Sequence, residues 1–153
     1  TKPANLPTRW IDQGAVQGLP VARVATRQQA GLLEVACAAH FTDKTQWQRM
    51  LMADDPLVDM ARFRADLARE TSADVEALQS RFGLTAVQPL LDAETTVLRY
   101  PVLGYPSRVV AINPTRTPRL EGQLIGIKGQ YLMLDSGVIN LRRYIGYEVT
   151  FEA

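Results

Sequence analysis

The spacing of hydrophobic positions along the chain changes near residue 95. Before that point, apolar residues recur at the spacing of one helix face, and afterwards they alternate with polar residues as in half-buried strands. We therefore predict an α+β protein with a helix-rich part at 1–94, which includes one short strand, and an antiparallel β-module at 95–153.

Polar and glycine residues predict where the elements of the helix-rich part begin and end. Thr26 and Gln29 have the spacing of a capping box, in which each side chain accepts one free backbone N–H at the start of a helix. The other predicted elements are a helix at 7–14 that ends at Gly14, a strand at 19–25, a short helix at 44–52, a helix that starts at Asp55 and Pro56, and a helix from Ser72 to Gly83.

The β-module is predicted to consist of short strands separated by glycine-containing turns. The predicted strands lie at 97–100, 108–112, 120–127, 130–134, 138–143 and 147–151. Short strands at this spacing are typical of a compact meander, and we expect a small SH3-like or OB-like barrel.

Composition limits the class of protein. The chain has 153 residues, enough to bury a core without a disulfide or a metal. Its apolar runs are shorter than the roughly 20 residues that span a bilayer, and its first residues lack the apolar core of a signal peptide. We expect a cytoplasmic protein without a membrane partner. Because the sequence starts at Thr1 without a methionine, we also expect a fragment of a longer gene product.

The single cysteine and the single histidine fall on the predicted apolar stripe of the helix that Thr26 opens. We interpret Cys37 as an inert buried thiol, and His40 as a hydrogen-bonded core residue rather than a catalytic base. One cysteine and one histidine are too few for a structural zinc site.

Positive charge is concentrated in the β-module, although the net charge of the chain is only +1. Positions 99–143 contain seven Lys and Arg residues but only two Asp and Glu residues. Basic side chains with an interleaved aromatic can hold a phosphate backbone and stack a base. The candidates for one such nucleic-acid-binding face are Lys128, Gln130, Asn140, Arg142, Arg143 and Tyr144. The alternative is an ordinary solvated barrel surface.

Two separated parts of the chain carry a resemblance to a known family. Residues 8–15 read TRWIDQGA, and residues 126–132 and 137–143 read GIKGQYL and GVINLRR. Together they resemble a bacterial family of unassigned function, over nearly the whole chain. That resemblance implies no activity.

A more distant resemblance concerns the order of the first elements. A helix with Arg9, a strand and a helix with Glu34 resemble the corresponding part of the GIY-YIG nucleases, in which an arginine is essential and a glutamate binds a divalent metal. The resemblance implies that Arg9 and Glu34 are catalytic and that Glu34 is a metal ligand. The two tyrosine-bearing strands of that superfamily would precede Thr1, and no tyrosine precedes Tyr100.

This second resemblance implies separate roles for the two residues at a phosphodiester. Glu34 would hold Mg²⁺ through oxygen, with water and phosphate as most of the other ligands. The planar guanidinium of Arg9 would neutralise charge that develops on the phosphate. The alternative is that both residues form a structural ion pair or lie on solvated faces, with no cofactor.

Two functional hypotheses remain. The first is nucleic-acid binding, with metal-dependent phosphodiester cleavage in a longer form, and the locally basic β-module favours it. The second is a non-enzymatic adaptor whose β-module binds a protein or a small molecule, and the near-neutral net charge favours it. A protein partner or a homo-oligomer is compatible with either hypothesis.

Overall fold

The computed structural model has the mixed helix and sheet content that the sequence predicts, so the α+β class is confirmed. It describes residues 5–40, 46–53 and 56–152. In chain order its helices are α1 (Leu6–Asp12), α2 (Arg27–Ala38), α3 (Trp47–Met50), α4 (Met60–Glu70) and α5 (Ser72–Phe82). Its strands are β1 (Gln17–Gly18), β2 (Ala22–Val24), β3 (Val87–Pro89), β4 (Thr96–Val97), β5 (Leu124–Lys128), β6 (Tyr131–Leu134) and β7 (Gly137–Asn140).

The chain divides into two compact units, each assembled from separate stretches of sequence. The sheet unit contains Thr1–Val16, Gln46–Asp55 and Leu98–Ala153, and the helix unit contains Gln17–Thr45 and Pro56–Val97. The contiguous division predicted at residue 95 differs from this one, because α1 and α3 are grouped with the C-terminal strands. None of the described helices is long and apolar enough to cross a membrane.

The sheet unit is built on an antiparallel sheet in the order β5-β6-β7. Two tight turns connect its strands, and Gly129 occupies the left-handed region at φ +60° in the first of them. Strand β6 supplies Tyr131 and Met133 to the core, which also contains Met50 and Leu51 from α3 and the turn after it. The ring of Trp47 stacks on Tyr131 with centroids 5.5 Å apart, which attaches α3 to the sheet.

The described strands form an open sheet rather than the predicted barrel. An isolated β-bridge lies at each edge of the sheet, between Val102 and Gly126 of β5 and between Ala111 and Val138 of β7. The strand predicted at 108–112 is therefore reduced to the single β-bridge at Ala111. Four prolines between residues 101 and 118 lack the N–H that a longer ladder needs. The strand predicted at 147–151 is wrong, since that segment pairs with no described strand.

The helix unit contains two antiparallel strand pairs, β1 with β4 and β2 with β3. The predicted capping box at α2 is confirmed: Thr26 accepts from the Gln29 N–H at 3.3 Å, and the Gln29 side chain accepts from the Thr26 N–H at 2.9 Å. The helix predicted from Asp55 and Pro56 begins later, at Met60. Asp55 lies outside the described residues, and Asp59 caps α4 by accepting from the Arg62 N–H at 2.9 Å.

Candidate nucleic-acid interface

A 3-10 turn directly after β7 presents two arginines to solvent. This turn, Leu141–Tyr144, is called the arginine turn below. The Asn140 side chain caps it by accepting a hydrogen bond from the Arg142 N–H at 3.1 Å. Arg142 and Arg143 are exposed, and neither forms an ion pair with another residue that the structure describes. Their guanidinium groups are therefore open to an anion from solvent.

Tyr144 closes the arginine turn and connects it to a neighbouring loop. Its hydroxyl donates to the Asn113 Oδ1 at 3.3 Å, and its half-buried ring packs edge-to-face against Tyr147 with centroids 5.7 Å apart. Tyr147 itself is 60% exposed. An exposed aromatic ring and two arginines without ion-pair partners among the described residues thus belong to one short stretch of the chain.

An open groove of about 500 Å³ begins at Asn113. The Asn113 Oδ1 also accepts from the Thr115 N–H at 3.0 Å, which shapes the loop that forms one wall of the groove. Arg116 and Arg119 line it, and Arg119 forms an exposed ion pair with Glu121 at 2.9 Å. Arg116 has no ion-pair partner within the described ranges, so it is a third free cation of the sheet unit.

Charge is divided unequally between the two units. The sequence of the sheet unit contains ten Lys and Arg residues and seven Asp and Glu residues, a net charge of +3. The helix unit contains seven basic and nine acidic residues, a net charge of −2. The near-neutral total therefore conceals a basic unit and an acidic one, and the arginine turn belongs to the basic one.

Lys128, predicted on the binding face, is instead fully buried. Its Nζ donates to the Ala53 carbonyl at 3.2 Å and to the Tyr105 hydroxyl at 3.5 Å, and lies 5.1 Å from the centroid of the Tyr105 ring. The period of two in β5 places Lys128 on the same face as buried Gly126, while Ile127 points to the exposed side. Lys128 is therefore part of the packing beneath the surface.

Gln130 is also less accessible than predicted. Its side chain is half-buried, and its Oε1 has no hydrogen-bond donor among the residues that the structure describes. Its backbone carbonyl accepts from the Leu141 N–H at 2.9 Å, which connects the β5–β6 turn to the start of the arginine turn. Of the six predicted face residues, the structure brings Asn140, Arg142, Arg143 and Tyr144 together in one surface turn.

Within the sheet unit, Tyr100 attaches helix α1 to the C-terminal part of the chain. Its hydroxyl donates to the Ala15 carbonyl at 2.8 Å, just beyond the end of α1. Burial raises the pKa of Tyr100 to about 12, and the negative charge of Asp12 adds to the shift. The phenol therefore stays protonated, as its hydrogen bond to a carbonyl requires.

A family model described as "Protein of unknown function (DUF2797)" matches residues 1–149. The chain belongs to the DUF2797 family. This confirms the resemblance to a family of unassigned function, and the family description names no activity. No curated protein and no solved structure matches the DUF2797 chain.

The two catalytic residues predicted for the DUF2797 chain fall in different units. Arg9 is exposed in the last turn of α1, within the sheet unit, and Glu34 is exposed on α2, within the helix unit. Among the described residues, no group of three or more His, Cys, Asp or Glu side chains could hold a metal ion. The catalytic pair stays a prediction.

The single cysteine and histidine of the DUF2797 chain differ from each other in burial. Cys37 is buried as predicted, and burial, assisted by the charge of Asp74, raises the pKa of its thiol. His40 is exposed, so its assignment to the core is wrong: its Nδ1 lies 3.1 Å from the Glu70 Oε2. His40 lies after the end of α2, where the helical stripe no longer determines which side chains face the core, and this allows its contact with Glu70.

Sequence reasoning missed three residues of the interface. Asn113, Arg116 and Tyr147 were not among the predicted face residues, although their side chains extend it. Asn113 precedes Pro114, and an Asn-Pro pair is a turn signal that could have drawn attention to this loop. Tyr147 was assigned to a strand, where its exposure could not be anticipated.

Proposed function

We propose that this DUF2797 chain binds single-stranded nucleic acid through the arginine turn and the Asn113 groove. The observation that carries the proposal is the pair Arg142 and Arg143, exposed side by side without ion-pair partners among the described residues. Guanidinium groups bind phosphate oxygens in a bidentate manner, so two adjacent ones suit two successive phosphates. The exposed ring of Tyr147 supplies a stacking surface for a base.

The shape of the face favours a single strand over a duplex. Duplex readers insert a helix or a strand pair into a groove. The regular element on this face is the four-residue arginine turn, and the described residues after it form neither a helix nor a strand. A flexible strand can follow such an irregular surface, with its phosphates on the arginines and its bases on the aromatic ring.

Binding can be measured by fluorescence anisotropy with labelled oligonucleotides. We would use oligo-dT and oligo-U of about 20 nucleotides, longer than the roughly 4–16 nucleotides that one small domain covers. The double variant Arg142→Ala/Arg143→Ala should bind about tenfold more weakly, a loss of about 1.4 kcal/mol. The control Arg23→Ala/Arg27→Ala removes the same charge from exposed positions of the helix unit and should stay within about twofold of wild type. Equal losses in the two variants contradict the proposed location.

The resemblance to GIY-YIG nucleases extends the proposal to cleavage. In a form of the protein that includes the tyrosine-bearing strands, Glu34 would hold Mg²⁺ and Arg9 would bind the scissile phosphate. When bound, the metal supplies positive charge that stabilises the developing negative charge on phosphate. Both side chains are exposed and therefore open to a substrate.

Cleavage of a labelled oligonucleotide in Mg²⁺ by the full-length protein tests this extension. Glu34→Ala and Arg9→Ala should each abolish the activity, because one removes the metal ligand and the other the phosphate contact. Glu94→Ala, which removes another exposed carboxylate of the helix unit, serves as the control. Equal activity of wild type and Glu34→Ala contradicts the catalytic assignment, while leaving the binding proposal to the anisotropy measurement.

One observation favours the alternative function of a non-enzymatic adaptor. The C-terminal segment exposes four apolar residues in a short stretch: Ile145 at 78%, Tyr147 at 60%, Val149 at 78% and Phe151 at 81%. Contiguous exposed apolar surface often marks a protein-binding site. Affinity for nucleic acid that does not fall with added salt would favour this alternative, because phosphate contacts impose a steep salt dependence.

A further inference from the structure

The helix unit contains a cavity that the proposed function does not use. It has a volume of about 270 Å³ and lies among side chains of α2, α4, α5 and the β2–β3 pair. Its walls are mostly apolar, with Leu33 and Cys37 from α2, Leu67 from α4 and Val75 from α5. Cavities with mostly apolar walls and a small number of polar groups are typical of small-molecule sites.

One half-buried cation, Arg64 of α4, lines this cavity. Its Nη1 donates to the Leu90 carbonyl at 3.1 Å and to the Ala93 carbonyl at 2.8 Å, which fixes the position of the guanidinium group. The Nε and Nη2 donors have no acceptor in the part of the chain that the structure describes. A partly desolvated guanidinium with free donors is a fixed binding point for an anion.

Glu76 also lines the cavity but does not neutralise this cation. It is exposed to solvent, and it forms no ion pair with Arg64. Water therefore screens the negative charge of Glu76 more strongly than it screens the positive charge of half-buried Arg64. Arg64 is the one cation among the described residues that line the cavity, so the site matches a ligand with one negative charge.

We propose that the cavity binds a small monocarboxylate with an apolar tail. The carboxylate accepts hydrogen bonds from the free donors of Arg64, and the tail contacts Leu33, Leu67 and Val75. A volume of about 270 Å³ limits the ligand to a small molecule, and heptanoate, with seven carbons and one carboxylate, serves as the probe.

Isothermal titration calorimetry of the intact chain with three matched ligands tests the chemistry. Heptanoate should bind with one-to-one stoichiometry, and heptanol about tenfold more weakly, because it fills the same space without the charge that Arg64 recognises. Heptylammonium should not bind, since it would place a second cation beside Arg64. No binding of heptanoate at millimolar concentration, or equal binding of heptanoate and heptanol, overturns the proposal.

Variants of the cavity wall test the location. Ala68→Leu narrows the cavity from an exposed wall position on α4 and should weaken heptanoate binding about tenfold, by removing space from the tail. Ala77→Leu makes the same change at an exposed position of α5 outside the cavity and should leave binding unchanged. Equal affinities of these two variants overturn the location.

Variants of the charged residues test the orientation of the ligand. Arg64→Met should remove the preference for heptanoate over heptanol, and Glu76→Gln should leave heptanoate binding equal or tighter. If Arg64→Met does not fold, the ligand series on wild type and the comparison of Ala68→Leu with Ala77→Leu still test the proposal. A retained preference for heptanoate in folded Arg64→Met contradicts the proposal.

Discussion

Replacing Lys128 by alanine is expected to destabilise the sheet unit by about 3–5 kcal/mol. Lysine is among the residues least often fully buried, yet no part of Lys128 is exposed. Its Nζ donates to the Ala53 carbonyl at 3.2 Å, and the rings of Tyr105 and Tyr100 lie 5.1 and 5.9 Å from it. The methylene groups of Lys128 are thus packed in the core, and its ammonium group is hydrogen-bonded.

The expected loss in the free energy of unfolding has two parts, and comparing two substitutions of Lys128 separates them. Lys128→Met keeps the stem but leaves the Ala53 carbonyl without this donor, and it removes the contact between the cation and the two rings. These losses should cost about 1–3 kcal/mol. Lys128→Ala also removes the buried methylene groups and leaves a cavity, which should add about 2 kcal/mol or more. Methionine should therefore be tolerated better than alanine.

Urea unfolding followed by tryptophan fluorescence is the suitable assay. The two tryptophans, Trp10 and Trp47, both belong to the sheet unit, so the signal reports on that unit. Arg142→Ala serves as the control: it removes one positive charge from an exposed position and should change stability by less than about 0.5 kcal/mol. A loss below about 1 kcal/mol for Lys128→Ala would refute the reasoning, because removing a fully buried, hydrogen-bonded side chain should cost clearly more than the roughly 0.5 kcal/mol of a surface substitution.

Three further predictions concern other parts of the chain. Burial raises the pKa of Tyr100 from its ordinary value of 10.0 to about 12 in the folded state. The stabilisation that the protonated phenol contributes should therefore be complete below pH 10 and be lost as the pH rises through 12. Tyr100→Phe should remove this loss from the free energy of unfolding, measured in urea as a function of pH. Gly14 adopts φ +74°, and a Cβ there would collide with the Met50 side chain. Gly14→Ala should therefore lower the free energy of unfolding by about 2 kcal/mol or more, measured by thermal denaturation. Cys37 should react with a disulfide reagent far more slowly in the folded than in the urea-unfolded chain, because burial raises its thiol pKa; equal rates would contradict its burial.

Local chemistry predicted several elements well. The Thr26–Gln29 capping box, the left-handed Gly14 after α1 and the end of α5 at Gly83 depend on neighbouring residues only, and all are present. The two hairpin turns of the β-module were predictable for the same reason, since glycine at Gly129 and Gly137 marks each of them. Signals of this kind need no knowledge of tertiary contacts.

Predictions that depended on tertiary contacts were less successful. The alternation at 147–151 satisfies the pattern of a strand, but a strand also needs a partner backbone, and no described strand pairs with it. Lys128 carries a charge that suggested the surface, and only its register in β5 reveals that it faces inward. His40 has the helical spacing of the apolar stripe of α2, but α2 ends at Ala38, before that spacing reaches residue 40.

The candidate interface was predictable in part. Asn140, Arg142, Arg143 and Tyr144 are neighbours in the sequence and were predicted together. The strand predicted at 138–143 ends at Asn140, however, and the residues after it form the arginine turn instead. A hydrogen bond joins Tyr144 to Asn113 of the groove, 31 positions earlier in the sequence. Patterns of neighbouring residues do not reveal such a distant contact. For the same reason, the cavity at Arg64 has no counterpart in the sequence analysis.

The salt dependence of oligonucleotide binding tests the proposed function most directly. Each phosphate contact with a single strand contributes about 0.7 to the slope of log affinity against log salt concentration. If Arg142 and Arg143 each hold a phosphate, Arg142→Ala/Arg143→Ala should reduce the magnitude of that slope by about 1.4, while Arg23→Ala/Arg27→Ala keeps the wild-type slope. A wild-type slope near zero, or equal slopes for wild type and the Arg142→Ala/Arg143→Ala variant, would contradict nucleic-acid binding at the arginine turn.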